Sequence, residues 1–202
     1  VFWETYGASE LGFLTLASSQ EAVDRPGTVG RIQLGGSIKI YNTNKTELPM
    51  GQVGDIYIKT EAFGQFHYSN DFDANQKLEI DGYISVGDMG WVDSEGYLFV
   101  TDRKKDMIIS SVFNVYPNEI EDYVSKHPDV RECDVIGVND SNRGESIRLF
   151  IVKDKKSLSE REVINFCKKG LAIYKIPKKV IFIDEIPKNN VGKILRRKLR
   201  EK

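Results

Sequence analysis

Cysteine is scarce in this chain of 202 residues, and Cys133 and Cys167 are its two examples. Two cysteines so far apart do not form the disulfide framework of a small secreted domain. The sequence also contains no CxxC or HxxxH pair that would supply the ligand spacing of a metal site. We therefore expect both cysteines to be buried thiols.

Long apolar runs are absent as well. No run reaches the roughly 18 residues that a membrane-spanning helix needs, and the first residues, VFWETYGASE, lack the basic and apolar regions of a signal peptide. Hydrophobic residues make up 40% of the chain and charged residues 29%, which is typical of a globular protein with one or two domains. These features predict a cytoplasmic protein without a transmembrane segment.

Net charge is nearly absent, since 29 Lys and Arg residues oppose 30 Asp and Glu residues. The distribution is uneven, however, with a net charge of −9 over residues 1–102 and +8 over residues 103–202. From Lys169 onward, 11 basic residues oppose 3 acidic ones, and the chain ends in KILRRKLREK. This basic end is either a solvated helical face or an anion-binding site. If it binds anions, one hypothesis is that the chain is a non-catalytic module that binds nucleic acid.

The first half of the chain has the patterning of short strands. Ser37–Tyr41 and Asp55–Thr60 alternate apolar and polar residues, as half-buried strands do. Asp81-Gly82 and Glu95-Gly96 are typical of hairpin turns between aromatic-rich strands. Residues 30–102 are therefore predicted to form a small antiparallel sheet or barrel.

The second half alternates strands and helices, which predicts a compact α+β or α/β unit. The expected elements are a helix that begins at Pro117 and stops at His127-Pro128, strands at Cys133–Val138 and Ile147–Val152, a helix capped by Ser157 or Ser159, a strand at KKVIFI and a short basic helix. The charge cluster DRKKD, at 102–106, is the expected boundary between the two halves.

Two segments of the first half combine residue types that suit a nucleotide. The segment from Tyr6 to Glu10 offers an aromatic ring, a glycine, a hydroxyl and a carboxylate, which can stack on a base, bind a phosphate and hold Mg²⁺. Asp88 lies between Gly87 and Gly90, and a carboxylate there can accept both hydroxyls of a ribose. Each segment, taken alone, is explained at least as well by an ordinary turn.

Three later segments can also carry chemistry. The guanidinium of Arg103 can donate hydrogen bonds to a phosphate or ribose oxygen. The stretch from Ser110 to Pro117 can line a channel. The flexible loop Pro187–Lys193 presents Lys193 as a movable point charge that can neutralise charge at a phosphorus or carboxylate centre. Taken singly, Arg103 and Lys193 have the alternative of being ordinary solvated surface residues. The alternative for the stretch from Ser110 to Pro117 is an ordinary connection.

Taken together, these segments resemble the motifs of one family in their order, their spacing and their amino-acid sequences. YGASE, DGYISVGDMGWVDSEGYLFVTDRKKDMII, FNVYPNEIE and IPKNNVGKILRRKLR are similar to motifs of the adenylate-forming acyl-CoA synthetase superfamily. That superfamily includes fatty acid and aryl CoA ligases, luciferases and peptide-synthetase adenylation domains. The resemblance covers essentially the whole chain. It implies that a carboxylic acid is activated with ATP and Mg²⁺ to an acyl adenylate, whose acyl group then passes to coenzyme A.

The resemblance also implies an α+β architecture in two parts. Residues 1–104 would be a small antiparallel β-subdomain that ends a large N-terminal AMP-binding domain. Residues 105–202 would be a compact, mobile α/β C-terminal domain that swings about a hinge. The family's Ser/Thr/Gly-rich phosphate loop ending in Lys has no counterpart in this sequence. We therefore expect the C-terminal portion of a longer enzyme, nearly inactive by itself.

Individual roles follow from the same resemblance. The implied roles are Tyr6 against the adenine, Ser9 on a phosphate, Glu10 on Mg²⁺, Asp88 on the ribose, Arg103 on the ribose or a phosphate, Lys105 as the hinge, and Lys193 on the α-phosphate and the attacking carboxylate. Because two anions must approach each other during adenylation, a cation on a mobile loop lowers their repulsion most in the transition state.

One departure from the family affects the acceptor of the acyl group. Ser110, Ser111 and Val112 match the loop that flanks the pantetheine tunnel, where the family usually has Gly-Gly in place of Ser111-Val112. A β-branched side chain at Val112 is expected to narrow the tunnel. The alternative to a CoA ligase is therefore an enzyme that hands its acyl-AMP to a carrier protein. Nucleic acid is not an expected partner, because no aromatic stacking platform accompanies the basic helix.

Overall fold

The computed structural model describes residues 2–8, 11–33, 35–60, 79–142, 144–154 and 157–201, apart from the side chain of Val86. The chain divides into two compact units, Val1–Lys105 and Asp106–Lys202, called the N-unit and the C-unit below. None of the helices in the described ranges is long and apolar enough to cross a bilayer.

In its described residues, the N-unit is an antiparallel sheet with one short helix. Its elements are β1 (Trp3–Ala8), β2 (Gly12–Ser18), α1 (Ser19–Asp24), β3 (Thr28–Ile32), β4 (Ser37–Tyr41), β5 (Gly54–Lys59), β6 (Glu79–Ile80), β7 (Tyr83–Val92) and β8 (Tyr97–Arg103). Within the described residues the sheet order is β1-β2-β3-β8-β7-β5-β4, and β6 pairs with β7. The prediction of a small antiparallel sheet is confirmed, although the sheet also includes β1 to β3, which begin before residue 30.

The core of this sheet explains the alternation seen in the sequence. The predicted strand Ser37–Tyr41 is β4, and β5 begins one residue earlier than predicted. Ile56 and Ile58 of β5 pack with Ile40 and Leu98 in one apolar cluster. Because successive side chains of a strand point to opposite faces, residues two apart share the cluster.

The helix α1 was not predicted, although its cap is visible in the sequence. The Ser18 side chain accepts a hydrogen bond from the Glu21 backbone, and the Glu21 side chain accepts one from the Ser18 backbone, which forms a capping box. The Tyr97 hydroxyl donates to Glu21 over 2.6 Å. Hydrogen bonds from Tyr97 and Ser18 lower the pKa of Glu21 to about 2. This contact ties α1 to β8, which ends at a candidate site residue, Arg103.

The C-unit has a second sheet covered by helices. Its elements are β9 (Ile108–Ser110), β10 (Phe113–Val115), α2 (Pro117–Val124), β11 (Val130–Asp140), β12 (Gly144–Lys153), α3 (Glu160–Gly170), β13 (Lys179–Phe182) and α4 (Arg196–Arg200). Within the described residues the sheet order is β10-β9-β12-β11, all antiparallel, and β13 joins β12 in parallel. The α+β prediction for the chain is thus confirmed.

Strand β12 is buried on both faces. Leu149 and Ile151 pack in a cluster that contains residues of α2 and α3. Phe150 and Val152 point the other way and pack with Leu199 of α4. The continuous apolar run LFIV, at residues 149–152, follows from this double burial, because neither face of this part of the strand meets water.

Several predicted boundaries shift in the C-unit. The helix predicted from Pro117 is α2, and Ser159 caps α3 through a capping box with Glu162. The polar loop expected between β11 and β12 is shorter than predicted, because the strands extend to Asp140 and back from Gly144. The sequence predicted both strands to be shorter than they are, because paired polar residues continue the ladder beyond the apolar segments.

Both cysteines are free thiols, as expected. Cys167 is fully buried in the α3 face of the core, whereas Cys133 is half-buried. Burial raises the pKa of Cys133 to about 12 and that of Cys167 to about 11. Both groups are therefore neutral thiols near neutral pH and are poor nucleophiles.

Candidate functional site

Three of the predicted nucleotide-binding residues lie together in the N-unit. The Tyr6 hydroxyl donates to Asp88 Oδ2 over 2.7 Å. Arg103 Nε lies 3.6 Å from Asp88 Oδ1, and the side chains of Asp88 and Arg103 are 13% and 50% exposed. These residues come from β1, β7 and β8, and 82 sequence positions separate Tyr6 from Asp88.

The pairing of β7 with β8 brings two of these residues together. Asp88 lies directly opposite Arg103 in the antiparallel register, next to a bulge between Met89 and Gly90. Gly87 has φ +81°, a conformation that a side chain disfavours. A Cβ on Gly90 would lie 2.2 Å from the carbonyl oxygen of Phe99. The glycines beside Asp88 therefore serve a bulged strand rather than the turn considered from the sequence.

The arrangement leaves Asp88 able to bind a further ligand. A carboxylate offers about four lone-pair positions, and the contacts described here use one hydrogen bond from Tyr6 and one ion pair with Arg103. The hydrogen bond from the Tyr6 hydroxyl constrains the orientation of the carboxylate. The half-exposed guanidinium of Arg103 can contact an anion while it remains next to Asp88.

The segment YGASE is not simply the loop that the sequence suggested. Tyr6, Gly7 and Ala8 form the end of β1, which has a bulge between Tyr6 and Gly7 where it pairs with β2. Ser9 and Glu10 lie outside the described residues, so their roles on phosphate and Mg²⁺ stay predictions. In the parts of the chain that the structure describes, no three His, Cys, Asp or Glu side chains group as metal ligands.

A short 3₁₀ turn, Lys104–Asp106, contains the predicted hinge. Lys104 Nζ pairs with Asp55 Oδ2 over 2.6 Å, and Asp55 is almost fully buried on β5. Lys105 is exposed, and the boundary between the two compact units follows it. The hinge role of Lys105 itself remains a prediction.

The predicted tunnel loop is a tight β-hairpin rather than a simple connection from strand to helix. Ser110 ends β9 and is buried, and β10 starts at Phe113. Ser111 has φ +58°, so it adopts the left-handed conformation for which glycine is suited. Val112 is 87% exposed at the tip. The backbone requirement for glycine thus falls on Ser111, while Val112 adds an apolar side chain to the surface.

Lys193 ends a hydrogen-bonded turn, which differs from the flexible loop that the sequence predicted. The Asn189 side-chain oxygen accepts hydrogen bonds from the backbone N–H groups of Val191 and Lys193, at 3.1 and 2.9 Å. The Asn189 N–H donates to the Lys193 carbonyl over 2.9 Å. Gly192 has φ +82° and completes the turn. Lys193 is exposed, and no ion pair with it is found among the described residues.

An ion-pair cluster that is buried apart from Arg200 was missed from the sequence. We call it the arginine clamp, and its members are Asp106, Glu121, Asp134, Arg196 and Arg200. Its members are up to 94 positions apart, so local patterning does not reveal it. The one available signal was Asp134, a charged residue next to the apolar run VIGV in β11. Burial raises the pKa of Glu121 to about 7, while the charge of Arg196 acts in the opposite direction.

Comparison with known proteins identifies the family. Residues 119–193 match the family described as the AMP-binding enzyme C-terminal domain. Over 198 residues the chain is 40% identical to a long-chain-fatty-acid–CoA ligase of Escherichia coli O6:H1, an alignment that covers 98% of this chain and 35% of that protein. The chain carries the C-terminal portion of an adenylate-forming enzyme. It spans little more than a third of the length of this relative.

Solved structures of adenylate-forming enzymes share the fold. ATP-bound MatB from Rhodopseudomonas palustris has a TM-score of 0.89 and 35% identity, over 98% of this chain and 40% of that one. O-succinylbenzoate CoA synthetase (MenE) from Bacillus subtilis was solved with its acyl-adenylate intermediate. It has a TM-score of 0.88 and 32% identity, and the match covers 98% of this chain and 40% of the Bacillus chain. The Bacillus enzyme has also been solved with ATP and a magnesium ion. The motif-based recognition of the C-terminal portion of an adenylate-forming enzyme is thus confirmed.

Proposed function

We propose that the enzyme to which this chain belongs is an ATP-dependent carboxylic acid:CoA ligase. In the first step a carboxylate oxygen attacks the α-phosphorus of ATP, the bond to the β-phosphate oxygen breaks, and pyrophosphate leaves. In the second step the thiol of coenzyme A loses its proton and attacks the acyl carbon, and AMP leaves. The observation that supports this function most strongly is the grouping of Tyr6, Asp88 and Arg103.

The N-unit residues would bind the adenosine part of ATP. Asp88 accepts hydrogen bonds from the two ribose hydroxyls through lone pairs that its present partners leave available. Arg103 contacts a ribose or phosphate oxygen, and the Tyr6 ring lies against the adenine while its hydroxyl holds Asp88. This proposal follows from an oriented carboxylate and a half-exposed guanidinium that are adjacent on the sheet.

Two further groups would act on the charged part of the substrates. Lys193 places its ammonium group between the α-phosphate and the attacking carboxylate, where negative charge is brought together in the transition state. Glu10 is the proposed ligand of Mg²⁺, since carboxylate oxygens are ligands that this hard cation accepts. The ion, when bound, neutralises phosphate charge. Ser9 would donate its hydroxyl to a phosphate oxygen.

The exchange of pyrophosphate into ATP tests this function. The full-length enzyme, incubated with a panel that includes long-chain fatty acids and 2-succinylbenzoate, is expected to exchange label with at least one acid. The isolated chain of 202 residues is the matched comparison and is expected to be nearly inactive. Absence of exchange with every acid would contradict the proposed ligase. Robust exchange by the isolated chain would contradict the view that it is an incomplete part of the enzyme.

The acceptor is tested in the same preparation. A CoA ligase consumes the acyl adenylate when coenzyme A is added and forms a thioester. An enzyme that serves a carrier protein forms the adenylate and leaves coenzyme A unused. The exposed tip residue Val112 is the feature that keeps this second acceptor open.

A further inference from the structure

Arg196 is held by three carboxylates from three different parts of the C-unit. Its Nη2 lies 2.8 Å from Glu121 Oε1 on α2, and its Nε lies 3.0 Å from Asp134 Oδ1 on β11. Its Nη1 lies 3.3 Å from Asp106 Oδ2. Arg200 adds a second contact to Asp106, at 3.1 Å. The Arg196 side chain is only 16% exposed, so water replaces few of these contacts.

These contacts fix the position of Arg196 closely. A planar guanidinium directs its N–H groups in set directions, so three carboxylates around it allow essentially one placement. Glu121 Oε1 also accepts a hydrogen bond from the Val135 backbone over 2.8 Å, which connects the cluster to the main chain of β11. Removing one partner from a buried ion pair leaves an uncompensated charge and is strongly unfavourable. The clamp is therefore a rigid attachment.

The clamp attaches one arm of the Lys193 turn to the core. Arg196 follows Lys193 by three residues and begins α4. The backbone N–H of Leu195 donates to the carbonyl of Pro187 over 2.8 Å and closes the base of the turn. On the other arm, Lys188 pairs with Glu132 in an exposed contact, and such contacts contribute at most about 1 kcal/mol. Ile186, directly before this second arm, is buried in the same apolar cluster as Leu199, so the clamp and this apolar contact together determine where the turn lies.

The same clamp reaches the start of the C-unit. Asp106 directly follows Lys105 and accepts contacts from both Arg196 and Arg200. The residue after the predicted hinge and the residue that anchors the Lys193 turn are thus joined by one ion pair. A change of backbone angles at Lys105 would carry the Lys193 turn with it as part of one body.

We propose that Arg196 is a positioning residue for adenylation, which holds the Lys193 turn at a fixed distance from the start of the C-unit. The proposal rests on the proposed function, because it concerns the placement of the Lys193 ammonium group. Arg196 itself contacts no substrate in this account. Its loss should therefore impair the step that uses Lys193 and spare the step that does not.

Two variants of the full-length enzyme and one control test the proposal. Arg196→Met removes the clamp, and Arg196→Met combined with Glu121→Gln and Asp134→Asn removes it without leaving those two acids charged in the core. Arg197→Met, at an exposed neighbour for which the described residues show no ion pair, is the matched control. The rate of pyrophosphate exchange and the transfer of supplied acyl adenylate to coenzyme A are measured for each.

Exchange should fall about 10- to 100-fold in both Arg196 variants, as expected for a small displacement of a catalytic group. Transfer from supplied acyl adenylate should stay near the wild-type rate, and Arg197→Met should change neither step. Unchanged exchange in the triple variant, or an equal loss of both steps, would overturn the proposal, because an equal loss means that Arg196 serves only folding.

Amide hydrogen exchange separates this proposal from the proposed function. The N–H groups of Lys193 and Leu195 are hydrogen-bonded in the turn, so they should lose protection in Arg196→Met and keep it in Arg197→Met. Retained protection in Arg196→Met overturns the clamp whatever the enzyme does. A wild-type enzyme that exchanges no pyrophosphate with any acid overturns the proposed function, whatever the amides show.

Discussion

Ser111 is a residue whose backbone conformation favours glycine. It has φ +58° at the tip of the β9–β10 hairpin. The left-handed conformation costs a residue with a Cβ about 1 to 2 kcal/mol, whereas glycine adds about 0.5 to 1 kcal/mol of unfolded-state entropy. The conformational term is the larger one, so a glycine at this position should be net stabilising.

We therefore expect Ser111→Gly to raise the free energy of unfolding of the C-unit by about 0.5 to 1 kcal/mol. Urea unfolding measures this change. Val112→Gly is the matched control and should lower the free energy, since it gains freedom in the unfolded chain without relieving strain. A loss of stability in Ser111→Gly that equals the loss in Val112→Gly would contradict the account.

Tyr6 orients Asp88 through one hydrogen bond to a charged group. Such a bond contributes about 1.5 kcal/mol or somewhat more, so Tyr6→Phe should weaken ATP binding by the full-length enzyme about tenfold. Titration calorimetry with ATP measures the change. Tyr83→Phe is the control, because the Tyr83 hydroxyl contacts Ser37 on β4 instead of Asp88. Equal affinities for the two variants would show that Tyr6 does not orient the carboxylate.

At the scale of elements, the arginine clamp makes the stability of the C-unit depend on pH. Burial raises the pKa of Glu121 from 4.5 to about 7, against the opposing effect of Arg196. The pKa of Asp134 is raised as well, again mainly by burial. The folded state therefore holds a proton more tightly than the unfolded chain does. This contribution to stability is complete below pH 4.5 and is lost as the pH rises through 7.

The free energy of unfolding should accordingly fall between about pH 4.5 and 7, and Glu121→Gln should flatten that slope. Unfolding by urea at several pH values gives the slope. Glu162→Gln is the control, because hydrogen bonds from Ser159 lower the pKa of Glu162 and its contribution is lost as the pH falls instead. An unchanged slope in Glu121→Gln would contradict the role assigned to this carboxyl.

The elements also show which parts of the fold can be predicted from sequence. Strand β4 and helix α3 were predicted because alternation and a capping box are local signals. Strand β1 was not, because Gly7 and the polar residues after it favoured a loop, whereas pairing with β2 decides its conformation. The clamp could not be predicted, because its contacts depend on how α2, β11 and α4 pack.

The same distinction applies to the candidate site. The resemblance to the family predicted Tyr6, Asp88 and Arg103, and the structure brings these residues together. It did not predict that Ser111, rather than Val112, takes the backbone conformation suited to glycine. A residue's type can be compared between sequences, but its φ angle depends on the hairpin in which it lies.

At the scale of the whole molecule, the two units differ in net charge, but part of the positive charge is paired with carboxylates. The N-unit contains 9 basic and 15 acidic residues, and the C-unit contains 20 and 15. Within α4, Arg196 and Arg200 are paired with carboxylates, so the basic end offers less free positive charge than its sequence suggests. This pairing weighs against a nucleic-acid-binding module, for which unpaired cations would be needed.

The rate of ATP–pyrophosphate exchange by full-length enzyme with Lys193→Met tests the central claim most directly, namely that this chain supplies the cation for adenylation. Loss of one preorganised electrostatic contact costs about 100- to 1000-fold in rate. We expect that loss in Lys193→Met and a rate near wild type in Lys188→Met, which alters the same turn at a residue paired with Glu132. Exchange at the wild-type rate in Lys193→Met, or an equal loss in both variants, would contradict the account.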